Sequence, residues 1–250
     1  MSKIKLSEIS TGVPDNLKKK KAELKTIEMA IKIGQLQHKL YAERKQSLLV
    51  VLQGMDASGK DGTIKTTFAD CNPTGIDTFG FKKPTSEEMA HDFLWRIHKR
   101  TPEHGNIMVF NRSHYEDILI QRVHKWIDFD RVEKRMKAIN AFEKLLEFDN
   151  DTKVLKFYMH ISPERQLEKL QERIDDPEKN WKHKAEDWEE RKLWSEYMEA
   201  YEYAINQSDI PWHIVPCDKR WYRNYHISKI VLKALEDMHP EMPVLKEHDE

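Results

Sequence analysis

The chain has 250 residues, with 42 Lys and Arg against 43 Asp and Glu and a formal net charge of −1. Such balance argues against broad nucleic-acid binding, which needs a surplus of basic side chains to neutralise phosphates. The N-terminus has no apolar signal core and no run approaches the roughly 18 apolar residues of a membrane span, so a cytoplasmic protein is expected.

Residues 1–15 hold Ser, Thr, Gly and Pro and read as an arm outside the core. From 16 to 46 the composition turns helical, with Leu24, Ile27, Ile31 and Leu40 among the apolar positions. This predicts an amphipathic helix laid on the main body. Its start, Lys18-Lys19-Lys20-Lys21, is strongly basic, and in a neutral chain it reads as a solvated face rather than a nucleic-acid site.

The apolar run 48–52 predicts a buried strand, and Gly54-Met55-Asp56-Ala57-Ser58-Gly59-Lys60-Asp61 follows it and leads into a helical stretch over 62–70. Strand, glycine-bearing turn and helix start come in the order of a phosphate-binding loop. Amides at the helix start, helped by the helix dipole, point at phosphate oxygens, and Lys60 adds a charge where a transferring phosphoryl group sits. The pattern G-x-x-x-x-G-K is met, except that Asp61 stands where a Ser or Thr hydroxyl normally touches Mg²⁺. The plainer alternative is an ordinary strand-to-helix turn with a surface Lys; the flanking strand and helix favour phosphate binding.

A helix is expected over 86–99, then a second apolar strand over 107–110. That strand runs into Asn111-Arg112-Ser113-His114-Tyr115-Glu116-Asp117, a polar cluster at a strand's carboxyl end, where open α/β sheets bind ligands. Arg112 offers a bidentate fork for an acceptor phosphate, and Glu116 or Asp117 could orient an acceptor group or support a metal. The spacing Ser113-x-x-Glu116 also reads as a helix capping box, which leaves Arg112 free.

Helices follow over 129–149, 163–173 and 188–206, with strands over 154–161 and 212–215. The alternation predicts a largely parallel sheet covered on both faces, with no internal repeat. The stretch 175–190, with Asp-Asp-Pro, two tryptophans and dense charge, reads as a mobile cap or as a charged surface hairpin. Trp181, Trp188 and Trp194 could stack on a base, although large aromatics more often pack. His91, His98 and His114 lack metal-ligand spacing and favour structural or surface roles. Cys71 and Cys217 are the only cysteines, too few for a disulfide framework or a cysteine metal site, and Cys217 reads as a small buried residue.

The chain from about residue 19 to 235 resembles the polyphosphate kinase 2 family. The likeness rests on Gly54-Met55-Asp56-Ala57-Ser58-Gly59-Lys60-Asp61-Gly62-Thr63-Ile64 and on Phe110 through the Asn-Arg-Ser-His-Tyr-Glu-Asp cluster. It rests also on Glu172-Arg173-Ile174-Asp175-Asp176-Pro177 with Asn180-Trp181-Lys182, and on Pro211-Trp212 followed by Val215-Pro216-Cys217-Asp218. The resemblance implies an α/β P-loop kinase fold, a mostly parallel sheet sandwiched by helices. One domain would span 1–250, with an N-terminal helical extension over 16–46 and a helical lid over 173–192. It implies transfer of a terminal phosphoryl group between inorganic polyphosphate and a nucleotide, with Mg²⁺, and a homo-oligomer. Many family members carry Asp-Arg-Ser-Trp-Tyr-Asn where this chain has Asn111 to Glu116. The form found here is similar to the subgroup that accepts AMP as well as ADP.

On that basis Gly54, Ala57, Ser58, Gly59, Lys60, Asp61, Gly62 and Thr63 are expected to cradle polyphosphate. Asp56 would hold Mg²⁺ or orient the attacking oxygen, and metal ligation falls more heavily on it because Asn111 replaces a carboxylate. Asn111, Arg112, Glu116 and Arg122 would place an adenine nucleotide, with guanine left open. Arg173, Lys182 and Arg191 would close from the lid. Asp56, Lys60, Arg112 and Glu116 carry the catalytic roles, mainly by positioning and electrostatics. Two rivals remain: an ATP-dependent nucleoside or nucleotide kinase, and a non-catalytic phosphate-binding module.

Overall fold

Strand β1 (Ser47–Gln53) is buried at every position, as a continuous Leu and Val run with sheet on both sides must be. It is the centre of a five-stranded sheet in a computed structural model that describes residues 3–245; residues 1–2 and 246–250, included in the expected domain, lie outside it. The other strands are β2 (Ile76–Gly80), β3 (Ile107–Asn111), β4 (Thr152–His160) and β5 (Trp212–Pro216). All pairs are parallel, in the order β2-β3-β1-β4-β5. Helical connections place helices on both faces, as expected.

The predicted strands are present, and β2 is an addition. Its exposed Asp77 and Thr78 give it no apolar run, because it is an edge strand with one neighbour. The helices are α1 (Lys19–Glu43), α2 (Lys60–Thr67), α3 (Ser86–Ala90), α4 (Trp95–His98), α5 (Ile120–Val123), α6 (Phe129–Asp149), α7 (Pro163–Asp175), α8 (Glu186–Lys192), α9 (Trp194–Gln207) and α10 (Arg220–Met238). The helix expected over 86–99 is therefore two short ones. Asp92 breaks it, since its side chain accepts from the Leu94 amide at 2.9 Å and competes with the helical ladder. The last helix, α10, buries Ile227, Val231, Leu235 and Met238 at three- and four-residue spacing.

The face α1 turns inward is not the one its large apolar residues suggested. Leu24, Ile27 and Ile31 are exposed, while Ala22, Thr26, Ala30, Ile33, Gly34 and Gln37 are buried with Leu40. Small side chains let α1 lie close to α10 and α2. A Cβ on Gly34 would come within 2.4 Å of the Asp70 carbonyl oxygen. The N-terminal arm is also part of the body: Leu6 is buried, the Ile4 amide donates to Asn206, and Thr11 donates to Asp218 at 2.6 Å. Cys71 and Cys217 are unbridged, and Cys217 is buried as expected.

Gly34→Ala tests that close seat. Backbone cannot rotate away, so overpacking of about 1–3 kcal/mol should outweigh the roughly 1 kcal/mol gained in helix propensity. Thermal denaturation should give a midpoint lowered by a few degrees; an unchanged or raised midpoint would place α1 further from Asp70.

Candidate active site

The turn after β1 is shaped by what surrounds it. At Gly54 a Cβ would sit 2.8 Å from the Met159 carbonyl oxygen, so the loop leaves the sheet where β4 leaves no room for a side chain. Ala57 (φ 64°) and Gly59 (φ 98°) then turn the chain through left-handed conformations. Such strain in a non-glycine residue collects at functional sites. Helix α2 begins at Lys60 with no side chain capping its first turn, which leaves amides directed out of the helix end. Lys60 is buried, and its Nζ donates to the Gly54 carbonyl at 2.8 Å and the Met55 carbonyl at 3.3 Å. Burial, then Arg112, push its ammonium below the usual lysine range, against the pull of Asp56 and Glu116.

The second loop lies beside the first because β3 pairs with β1, Leu52 opposite Asn111. Arg112 follows at φ 63°, and its Nη2 donates to the Asp56 carboxylate. Burial would raise the Asp56 carboxyl, but Arg112 and Lys60 overcome it and hold the group below the usual range. Arg112 is held charged by Glu116 and Asp56. Glu116 accepts from Nε2 of the buried Gln53 at 2.9 Å, so the expected capping box is not formed. Ser113 does cap the short turn His114–Asp117, accepting from the Tyr115 amide.

Beneath this loop runs a buried ionic cluster. Lys156 Nζ donates to Glu143 at 2.5 Å and to the Tyr115 hydroxyl at 2.7 Å, and Tyr115 donates to Glu143 at 3.0 Å. His114 Nε2 lies 3.2 Å from the same carboxylate, a structural role. His91 stacks on Trp95 and His98 packs edge-on to Phe142, so these two are structural as well.

The two loops floor a cavity of about 480 Å³, a size that suits a nucleotide. Met55, Asp56, Arg112, Glu116 and Ile120 form one side; Lys184, Glu186, Asp187 and Glu190 before and within α8, with Tyr197 and Tyr201 of α9, form the other. Glu190 is fixed by His124 Nε2 at 2.9 Å and the Tyr197 hydroxyl at 2.5 Å. Burial and the nearby Asp56 push the Asp187 carboxyl up, although Arg173 donates to it.

Gly54, Asp56, Arg112 and Glu116 thus converge, with Lys60 buried in the adjoining loop. Asp61 is exposed and accepts from Asn111 Nδ2 at 2.6 Å, while Lys182 Nζ lies 4.0 Å from its other oxygen. The amides of Ser58 and Thr63 are taken up by Met55 and Gly59 carbonyls, so Ala57, Gly59 and Gly62 are better placed to bind anions than these two. Two of the expected residues do not join this lining. Arg122 lies between the rings of Phe129 and Tyr203, 5.3 and 5.2 Å from their centroids, away from the cavity lining. Arg191 donates to the Pro163 carbonyl at 2.7 Å and to Gln166 at 2.8 Å, bracing α8 on α7 instead of facing the cavity. The tryptophans also stay outside: Trp181 is exposed and Trp194 packs on the core. Sequence reading missed Gln53, the α8 carboxylates Glu186, Asp187 and Glu190, and Tyr197 with Tyr201, whose four-residue spacing on one helix was the available signal.

The polyphosphate kinase 2 family model matches residues 16–243. The chain belongs to the polyphosphate kinase 2 family. A relative from Meiothermus ruber, named AMP/ADP-polyphosphate phosphotransferase, is 45% identical over 215 residues, 85% of this chain and 80% of its own. One from Rhodopseudomonas palustris, named ADP-polyphosphate phosphotransferase, is 39% identical over 85% of this chain and 78% of its own. The crystal structure of polyphosphate kinase 2 from Arthrobacter aurescens TC1 superposes with a TM-score of 0.95 at 36% identity, covering 100% of this chain and 91% of that one. The P-loop kinase fold follows from that match together with the loop after β1.

Among the described residues no three His, Cys, Asp or Glu side chains converge as they do around a resident metal. Mg²⁺ arriving with phosphates asks for less, one or two carboxylates plus substrate oxygens, and Asp56 in the loop fits that requirement.

Glu143→Leu should lower stability by about 3–5 kcal/mol in chemical denaturation, because it strands a buried Lys156 charge. Adding Lys156→Met should recover most of the loss; additive losses would show that the two side chains are not coupled.

Proposed function

We propose that this chain transfers the terminal phosphoryl group of inorganic polyphosphate to AMP and to ADP, giving ADP and ATP, in a reversible reaction. The observation that carries this reading is the Arg112–Asp56 contact, which joins the phosphate-binding loop to the acceptor motif across one cavity floor. Loop amides and Lys60 hold the donor phosphates, and Arg112 grips the acceptor phosphate with Glu116 beside it. Asp56 would hold Mg²⁺, which would supply positive charge against the phosphates. Positioning and electrostatic stabilisation supply the catalysis, since phosphoryl transfer asks little covalent chemistry of a protein.

The segment 173–192 acts as a lid of a single domain that also includes the extension over 16–46. Support comes from α8, whose carboxylates wall the cavity, from Arg173, which reaches Asp187 in that wall, and from Lys182, which approaches Asp61 of the phosphate-binding loop. Closure would exclude water from the phosphoryl donor. Adenine nucleotides are the preferred acceptors, with guanine nucleotides to be assayed beside them. The family likeness also supports a cytoplasmic homo-oligomer. No described helix is long and apolar enough to cross a membrane.

Purified protein given ADP, Mg²⁺ and polyphosphate, without ATP, should form ATP in proportion to polyphosphate after correction for adenylate kinase contamination. No ATP under those conditions, with activity restored by an ATP donor on nucleosides, would favour the ATP-dependent rival. Lys60→Ala should lower turnover by about 10²–10³-fold while circular dichroism shows a folded protein. Near-normal turnover would remove Lys60 from the mechanism. Glu116→Asn should weaken AMP use more than ADP use, and equal losses on both acceptors would deny Glu116 a discriminating role.

A further inference from the structure

Arg223, in the first turns of α10, is 2% exposed and lies against the phosphate-binding loop. Its Nη1 donates to the Ser58 carbonyl at 3.1 Å. Its Nε and Nη2 donate to the Asn224 side-chain oxygen at 3.2 and 3.0 Å. A Cβ on Gly59 would lie 1.8 Å from Nη1, and one on Gly62 would lie 3.4 Å from Nη2. Glycine at 59 therefore serves two needs, the left-handed turn and room for a guanidinium.

Both acceptors are neutral, and among the described residues no carboxylate forms an ion pair with Arg223. Its surroundings are cationic instead. Lys219 caps α10 and Arg220 opens it, with no acid in the first turn. Lys169 of α7 is held down first by burial and feels Glu172 before the charges of Arg165, Arg223 and Arg220, so one carboxylate stands among four cations there. The positive end of the α10 dipole adds to the same sign. A buried charge without a counter-charge is costly, and proteins usually pair it. Here no described carboxylate pairs with it, and it lies beside the phosphate-binding loop.

We propose that Arg223 is a positioning residue of the donor site, clamping the loop at Ser58–Gly59 and leaving its charge for the bound phosphate chain to neutralise. The inference rests on the donor reading given under Proposed function. Asn224 completes the clamp: its oxygen takes Arg223, its Nδ2 donates to Thr66 at 3.0 Å, and Thr63 donates to it at 3.4 Å. Arg223 thereby ties α10 to both the loop and α2. Anion binding relieves an unfavourable charge as well as making new contacts, so the donor should stabilise the fold by linkage.

The test compares wild type with Arg223→Lys, Arg223→Met and Asn224→Asp, using steady-state kinetics and the thermal midpoint with and without tripolyphosphate. Arg223→Met should raise the polyphosphate KM about tenfold or more, the loss expected for a hydrogen bond to a charged group, while the ADP KM stays within about twofold. Its midpoint should rise less with tripolyphosphate than that of wild type, and Arg223→Lys should recover part of both effects. Asn224→Asp supplies the missing counter-charge: without ligand its midpoint should exceed that of wild type, and its tripolyphosphate affinity should fall. Unchanged polyphosphate KM and midpoint shift in Arg223→Met, or equal rises in both KM values, would overturn the proposal. Should that variant fail to fold, wild-type tripolyphosphate affinity in Asn224→Asp would overturn it. Tripolyphosphate stabilisation that depends on Arg223 in a protein forming no ATP would uphold the clamp and remove only the donor assignment.

Discussion

Asp56 and Arg112 meet because β1 and β3 are neighbouring parallel strands in register, and the chemistry of the site depends on that adjacency. Parallel strands deliver their carboxyl ends to one edge of the sheet, so two loops far apart in sequence emerge side by side. One loop turns into a helix start and presents amides and an ammonium. The other turns sharply at Arg112 and presents a guanidinium and a carboxylate. Left-handed backbone at Ala57 and at Arg112 aims both loops at the same space. The cost of that strain is borne by a fully buried strand core and by the Glu143–Lys156–Tyr115 cluster under the second loop.

The charges follow a consistent pattern. Arg112 rests on Asp56, Arg173 on Asp187, and Lys182 approaches Asp61. Lys60 bonds to carbonyls of its own loop. Arg112, Arg173 and Lys182 thus each face a carboxylate, which limits the net charge the protein itself gathers at the site. Lys60, though bonded only to neutral oxygens, feels the nearby carboxylates of Asp56 and Glu116, whereas Arg223 has neutral acceptors and, among the described residues, no carboxylate in ion-pair range.

Much of this was legible from sequence because local rules and global folding agree along β1, its loop and α2. An apolar run, two glycines and a lysine specify strand, turn and helix start with little help from elsewhere. Asn111 to Asp117 was legible for the same reason. What was not legible depends on partners distant in sequence. Arg122 and Arg191 look like phosphate ligands in a linear reading, yet an aromatic pair and a carbonyl take them. Gln53 looks like the last residue of a strand until β3 brings Glu116 beside it. The inward face of α1 was misread because close helix packing selects small residues, which an apolar count overlooks.

Partnered cations change what binding means at this site. A phosphate that takes Arg112 from Asp56 gains one charge-assisted contact and gives up another, so the net gain is a difference between two similar terms. Asp56, released from Arg112, would be the carboxylate left to hold Mg²⁺. Such an exchange would let highly charged substrates be oriented without being trapped, a condition for releasing a product nearly as charged as the substrate. An enzyme passing phosphoryl groups from phosphate chains to nucleotides needs that near balance, because tight binding of substrate or product would lower its turnover.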